Sequence, residues 1–494
     1  MADAPEPDAE PAPARRTAVP RTGTQSLVLW IAVLGSFVSF LDGTVVTVAL
    51  PAIVDELGGG ITTQQWTVDA YMLTLGSLIL VAGSISDGFG RLRVLRIGLL
   101  GFGASSLVIA LAPTAAVLIG ARFVQGAAGA LLVPSSLALI MTHFRGPAQG
   151  RAIGTWTGAT SAAMVVGPLV GGLFVDLASW RLAFLINVIP IAVTLWLLGR
   201  LARHDEARDV RRPDARIDVV SAALAALGLG GVVAALIEQP NLGWTDPRIL
   251  TLLTTGIVLL AMFLVRQTRV PDPMLPLPLF RTGNVAWGNG ATFLIYGALS
   301  LNGFVLGVYL QEGAGLTATA AGLASLPITL ILMAASSRVG ALSGRLGPRI
   351  FMTAGPLTMA VGALLLLLVG DDFSYWTQVL PGVVVFGLGL ALTVSPLTSA
   401  ILGAVDPSRS GIASAVNNAV SRIAGLITVA LIGTIVGGTL DLAGFHRTAL
   451  VTAALLAAGG IVSWIGIRNP AASGDPVGDD GTPGARDGEG GDGA

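Results

Sequence analysis

Apolar residues run along this chain in stretches of about 20, separated by short polar segments rich in Arg, Gly, Pro and Asp. That is the length that crosses a bilayer as a helix. Fourteen such spans are predicted, near 27–53, 64–86, 94–112, 115–140, 152–175, 181–199, 217–238, 248–266, 284–311, 318–338, 350–370, 377–404, 411–437 and 448–467. None alternates apolar and polar positions, so the barrel signature is absent. Helices are then the remaining way to pair every backbone group in lipid. The predicted fold is an all-α integral membrane protein.

The polar segments carry a second pattern. With an even number of spans both termini share one side, and 23 of the 28 basic residues fall on that side. Three (Arg181, Arg248 and Arg447) fall on the other, and Arg122 and Arg422 lie within spans. By the positive-inside rule the termini are expected in the cytoplasm. A charged segment from Arg200 to Asp218 follows the sixth span and reads as a solvated linker. An internal repeat marks a second block. "GSISDGFGRLR" (Gly83–Arg93) and "GALSGRLGPRI" (Gly340–Ile350) align without gaps, with glycine at the first and eighth positions of both. Spans 9–14 then repeat spans 1–6, with spans 7 and 8 inserted. The expected domains are a cytoplasmic tail (1–25), a six-helix bundle (26–199), a linker with two inserted helices and a loop (200–283), a second six-helix bundle (284–467) and a second tail (468–494). Two related bundles with a site between them form a transporter architecture.

Composition narrows the chemistry. The chain is 53% hydrophobic and 12% charged, with net charge −1, so nothing favours nucleic acid. It has no cysteine, which removes disulfides, thiolate metal sites and cysteine nucleophiles. The three histidines, His143, His204 and His446, are expected in loops, and no metal or cofactor is expected. Every basic residue is arginine, so the Gly-Lys-Ser/Thr end of an ATP-binding loop cannot be written. The first 25 residues lack the basic start and apolar core of a cleavable signal, and the Gly-rich acidic end has no packing residues; both are expected to be disordered. Trp66, Trp180 and Trp376 stand near span ends and read as interfacial belt residues. No nucleophile elbow, zinc helix or catalytic carboxylate pair is present, so no enzyme activity is expected.

Some spans hold residues that lipid does not favour. Asp42, in "LDGTVVTVALP" (Leu41–Pro51), lies near the middle of span 1, at a cost of roughly 2.5–3.5 kcal/mol on insertion scales. Arg122, in Arg122-Phe-Val-Gln125-Gly126 of span 4, keeps its charge at any relevant pH and needs a partner. "GPLVGG" in span 5 places Gly167 and Gly171 four apart, a face for close helix contact, with Pro168 and Gly172 beside them. The loop after span 2 joins Gly83, Asp87, Gly90 and Arg91, where glycines permit a tight turn.

In this order the four motifs resemble those of the Major Facilitator Superfamily, and specifically its 14-helix drug/proton antiporters, over nearly all of residues 26–470. The resemblance implies a proton-coupled exporter of lipophilic, cationic drugs or antibiotics, monomeric, in a bacterial cytoplasmic membrane. It gives the Gly83–Arg91 loop the role of a conformational latch and "GPLVGG" that of an exporter motif. Ala163 stands where that motif usually opens with glycine, and Gly344 stands where the second-half loop would repeat Asp87. The start of span 2, "QWTVDAYMLTLGS", resembles pumps of quaternary ammonium compounds, which makes Asp69 a candidate cation contact. Asn417, Asn418 and Arg422 of span 13 are the matching polar groups of the second bundle. Asp42 and Arg122 are the expected coupling pair, because a carboxylate balanced between desolvation and a nearby cation can take and release a proton. Three alternatives stay open. They are a dedicated exporter of a neutral or anionic natural product, a proton-linked importer, and a membrane receptor without transport.

Overall fold

The structure, a computed structural model, describes residues 23–205, 218–271, 273–406, 409–438 and 440–469. The two expected tails lie almost wholly outside the described residues, as does most of the charged linker. The helices are α1 (Gly23–Leu57), α2 (Gly60–Phe89), α3 (Arg91–Ala110), α4 (Ala115–His143), α5 (Gly146–Leu177), α6 (Leu182–Leu185), α7 (Val188–Asp205), α8 (Val219–Leu242) and α9 (Pro247–Gln267). They continue with α10 (Gly283–Glu312), α11 (Ala318–Ala324), α12 (Leu326–Leu346), α13 (Pro348–Leu365), α14 (Leu380–Leu402), α15 (Ser410–Ala430), α16 (Ile432–Val436) and α17 (Leu442–Gly466). Among the described residues there is no strand.

Thirteen helical stretches among the described residues are long and apolar enough to cross a membrane. The remaining expected span, 64–86, is α2, an unbroken helix of 30 residues whose first turns carry Gln64, Gln65, Thr67 and Asp69. Three expected spans are broken. Span 6 divides into α6 and α7 around Asn187, span 10 into α11 and α12 at Ser325, and span 13 into α15 and α16 at Leu431.

Local chemistry explains many of the starts. Thr114, Asp218, Asp246, Thr317 and Asp441 each accept a backbone N–H of the first turn of the helix that follows. The two copies of the repeated loop behave alike. Their eighth positions, Gly90 and Gly347, both join one helix to the next with φ of 94° and 83°, a backbone conformation reserved for glycine.

Helices α1–α7 pack into one bundle and α10–α17 into a second. Buried apolar side chains fill each, for example Ile31, Leu95 and Leu132 in the first and Ile295, Met359 and Leu456 in the second. A further cluster spans both bundles. It joins Leu41, Val45, Leu50 and Phe184 to Leu301, Val305, Tyr309 and Phe445. This cluster lies in the half remote from the termini, called distal below. Inserted helices α8 and α9 pair with each other, and α8 also leans on α2 and α15. The outward face of α9 exposes Leu250, Ile257, Met262 and Val265, a surface suited to lipid. At the terminal end of the pair, burial pushes the Asp218 carboxyl up. Bonds from Ser221 and Arg266 outweigh that and hold it below the usual range.

Two smaller expectations are corrected. Trp180 is only 3% exposed; it donates to Glu56 at 2.7 Å and meets Phe184 edge-on, so it is a packing residue and not part of a belt. Trp376, 74% exposed, stays at the surface. The histidines are not in loops. His143 ends α4, His204 falls in the last turn of α7, and His446 lies in the first turns of α17.

Candidate functional site: a buried charge network and the seam between the bundles

Asp42 and Arg122, 80 residues apart in sequence, meet in the middle of the first bundle. The Arg122 Nη1 donates to Asp42 Oδ2 at 2.6 Å, and both side chains are essentially sealed from solvent. The other carboxylate oxygen accepts from Gln125 Nε2 at 3.0 Å and Asn187 Nδ2 at 2.9 Å. Arg122 is held further by the Gln125 Oε1 at 2.7 Å and the Thr67 carbonyl at 2.8 Å, and it lies over the Tyr71 ring at 4.3 Å. Gln125 also donates to Ser106, and the Tyr71 hydroxyl pairs with Ser39 at 2.9 Å. Spacing explains part of this. Arg122 and Gln125 are three apart on α4 and so share a face. Gly126 lets that face approach α2, because a Cβ there would collide with the Tyr71 carbonyl and the Thr74 hydroxyl. The break between α6 and α7 presents Asn187.

Asp69 has the opposite surroundings. It is fully buried, yet neither carboxylate oxygen has a hydrogen-bond partner among the described residues. It shares a face of α2 with Gln65, Leu73 and Gly76, as spacings of four, four and three require. That face looks onto the seam. Gln65 donates to the Val429 and Ala430 carbonyls of α15 at 2.7 and 2.9 Å, and Leu73 packs against α8 and α15. Trp66 donates to Glu238 of α8 at 3.0 Å. Arg422 sits across the same seam, against Gly76. Asn417 turns into its own bundle, where its amide donates to Thr292 at 2.7 Å and Asn289 at 3.3 Å. Asn418 stays exposed.

The distal half is closed. Gly167 and Gly171 pack on Thr44 and Val45 of α1, while Gly172 packs on α11 of the other bundle, where a Cβ would lie 2.6 Å from the Thr319 Cα. Gly322 returns the contact, with its Cβ position 2.6 Å from the Pro168 carbonyl oxygen. Beside them the Asp176 carboxylate accepts the Ala318 and Thr319 N–H groups at 2.9 and 2.8 Å, capping α11 from across the seam. Gln64 donates to Glu312 at 2.6 Å, again between bundles. At the terminal end Arg91 ties the start of α3 to the Ala138 carbonyl at 3.1 Å and to Thr142 on α4. Gly83 is open on its Cβ side. The Asp87 side chain lies outside the described residues.

Ser39, Thr67, Tyr71, Ser106, Asn187 and Asp176 were not singled out from the sequence. The polar "QWTVDAY" start of α2 was a signal for Thr67 and Tyr71; the others are single small or terminal polar residues with no motif around them.

The profile of the Major Facilitator Superfamily matches residues 32–429 and 291–487. The chain is 35% identical to the puromycin resistance protein pur8 of Streptomyces alboniger, covering 81% of this chain and 79% of that one. It is 34% identical to the methylenomycin A resistance protein of Streptomyces coelicolor, with 88% and 91% covered. It is also 34% identical to the multidrug efflux pump LfrA of Mycolicibacterium smegmatis, with 84% and 82% covered. Among solved structures, a peptide transporter bound to sulfate superposes with a TM-score of 0.64 over 90% of this chain and 94% of that one, at 14% identity. A D-xylose–proton symporter does so at 0.63 over 90% and 98%, at 15% identity. At such identities these two bear on the fold alone.

Proposed function

The chain belongs to the Major Facilitator Superfamily, and from that premise we propose that it exports lipophilic drugs or antibiotics in exchange for protons. It is a multi-pass membrane transporter of small molecules, not an enzyme. The names of its relatives, resistance proteins and a multidrug efflux pump, support export. The arginine distribution supports cytoplasmic termini, which would make the closed distal half the outer one and this conformer inward-facing.

The observation that carries proton coupling is the buried Asp42–Arg122 pair. Protonating Asp42 removes the one carboxylate among the described residues that pairs with Arg122 and leaves the guanidinium with two neutral acceptors, Gln125 and the Thr67 carbonyl. Breaking a buried pair in this way costs roughly 3–5 kcal/mol. A bias of that size is enough to move a two-state equilibrium from mostly closed to mostly open. Proton binding thereby acts on the packing of α1, α2 and α4, of which α1 and α2 touch the second bundle, and substrate release follows the same switch. Asp42→Asn removes the titrating group and keeps the shape. In proteoliposomes it is expected to insert normally and to release no protons on substrate addition; proton-driven efflux at the wild-type rate by this variant would end the assignment.

Asp69 supports a cationic cargo. A lipophilic cation entering the seam finds an unpaired carboxylate in a dry site, where a charge contact is strongest. Asp69→Asn should impair export of a dication more than that of a monocation and leave a neutral compound nearly unchanged. An equal loss for all three would move Asp69 into the coupling machinery. Asp87→Asn is expected to slow turnover more than it weakens binding, as a latch would.

A further inference from the structure

Arg422 is the second ionisable group in the seam for which the described residues supply no counter-charge. Its Nε is buried without a partner, and no ion pair or hydrogen bond reaches the side chain among the described residues. The Cβ position of Gly76 lies 3.7 Å from the Arg422 Cβ, so this residue leaves α15 on the side of the first bundle. Asn418 and Ala415, one and two turns earlier on the same face, are exposed, and Arg422 itself is half-buried, so exposure along this face reaches Arg422. Asp69 is on the facing helix, yet no ion pair joins the two. A guanidinium cannot shed its proton to escape burial. It keeps its place in a membrane helix by facing water or an anion.

We propose that Arg422 receives an acidic oxygen of the substrate, a carboxylate, enolate or phenolate, while Asp69 receives its cationic group. The preferred cargo is then amphoteric, with a lipophilic body carrying both. Asp69 and the Gly76 contact are seven residues apart on α2, so the Arg422 Cβ meets that helix about 10 Å along its axis from Asp69. This assignment rests on the export reading for its biological meaning, but it concerns binding alone and is tested without a proton gradient.

The probes are rhodamine B, which carries a xanthylium cation and a free carboxylate, and its ethyl ester, which keeps the cation and masks the acid. Fluorescence titration of the purified full chain is expected to give a roughly 10-fold preference for the acid, the scale of one charge-assisted contact in a dry site. Arg422→Gln should abolish that preference while keeping affinity for the ester within twofold. Arg422→Lys should keep part of it, and Asp69→Asn should weaken both dyes. The assignment is overturned if the wild type shows no preference for the acid or binds neither dye. It is equally overturned if Arg422→Gln preserves the preference or loses the ester as well. Proton release by the Asp42→Asn variant tests the export reading separately, so the two can fail independently.

Discussion

Arg122, in the first third of α4, and Arg422, near the middle of α15, stand one in each bundle, and their surroundings differ in nearly every respect. Arg122 has a carboxylate, an amide oxygen, a carbonyl and an aromatic face around it, and Asp42 in turn has three donors. Among the described residues Arg422 has none of these. The second bundle satisfies its buried polar groups with neutral partners instead, as in the Asn417–Thr292–Asn289 cluster. A saturated network has something to lose when a proton arrives, so it can act as a switch. An unsatisfied group has something to gain when a ligand arrives, so it can act as a receptor. On the proposed reading the first bundle takes the former role, and the seam facing it the latter.

The largest test of that contrast is Arg122→Ala. It leaves Asp42 buried without its cation, which should lower stability by roughly 3–5 kcal/mol, read as thermal unfolding in detergent. Arg422→Ala should cost far less, under about 1 kcal/mol, because no partner is stranded. Equal losses for the two would erase the comparison. Next in size is Gly126→Ala, which forces α4 off α2 where the Tyr71 carbonyl leaves no room. Overpacking of this kind costs about 1–3 kcal/mol, and efflux should fall with it as Arg122 is displaced. Asp176→Ala removes two charge-assisted bonds across the distal seam. It should cost about 1–2 kcal/mol of closure, seen as several-fold faster alkylation of a cysteine placed at Thr47, in a chain that has no other. Among the substitutions that remove a bonded partner, the smallest effect is expected for Asn417→Ala. Losing a neutral bond to Thr292 should cost about 1 kcal/mol and leave substrate preference unchanged; a changed preference would place Asn417 in the cavity wall.

Sequence reasoning reached the helices because a bilayer imposes length and apolarity on every span, and it reached the Gly90 and Gly347 turns because only glycine fits their backbone. It also brought Asp42 and Arg122 together, since an intramembrane charge demands a partner and few were on offer. Asn187 was out of reach. Pro190 hints at the helix break in span 6 from which its importance comes, but nothing local shows that it meets Asp42 across 145 positions. Asp176 was hidden differently. A carboxylate one residue from a helix end reads as a solvated group, and only the docking of α11 from the other bundle turns it into a cap. The seam itself was illegible, because which face of α2 meets α15 depends on how two separately folded bundles sit together.

The glycines at that distal contact have an entropic meaning. Where Gly172 meets α11 and Gly322 meets Pro168, backbone touches backbone with no long side chain between. Closing such a surface freezes almost no rotamers, whereas ordering a flexible side chain costs up to about 2 kcal/mol. Little conformational entropy is therefore lost on shutting and little is regained on opening, so in the proposed alternating access this contact adds almost no side-chain entropy cost to either direction.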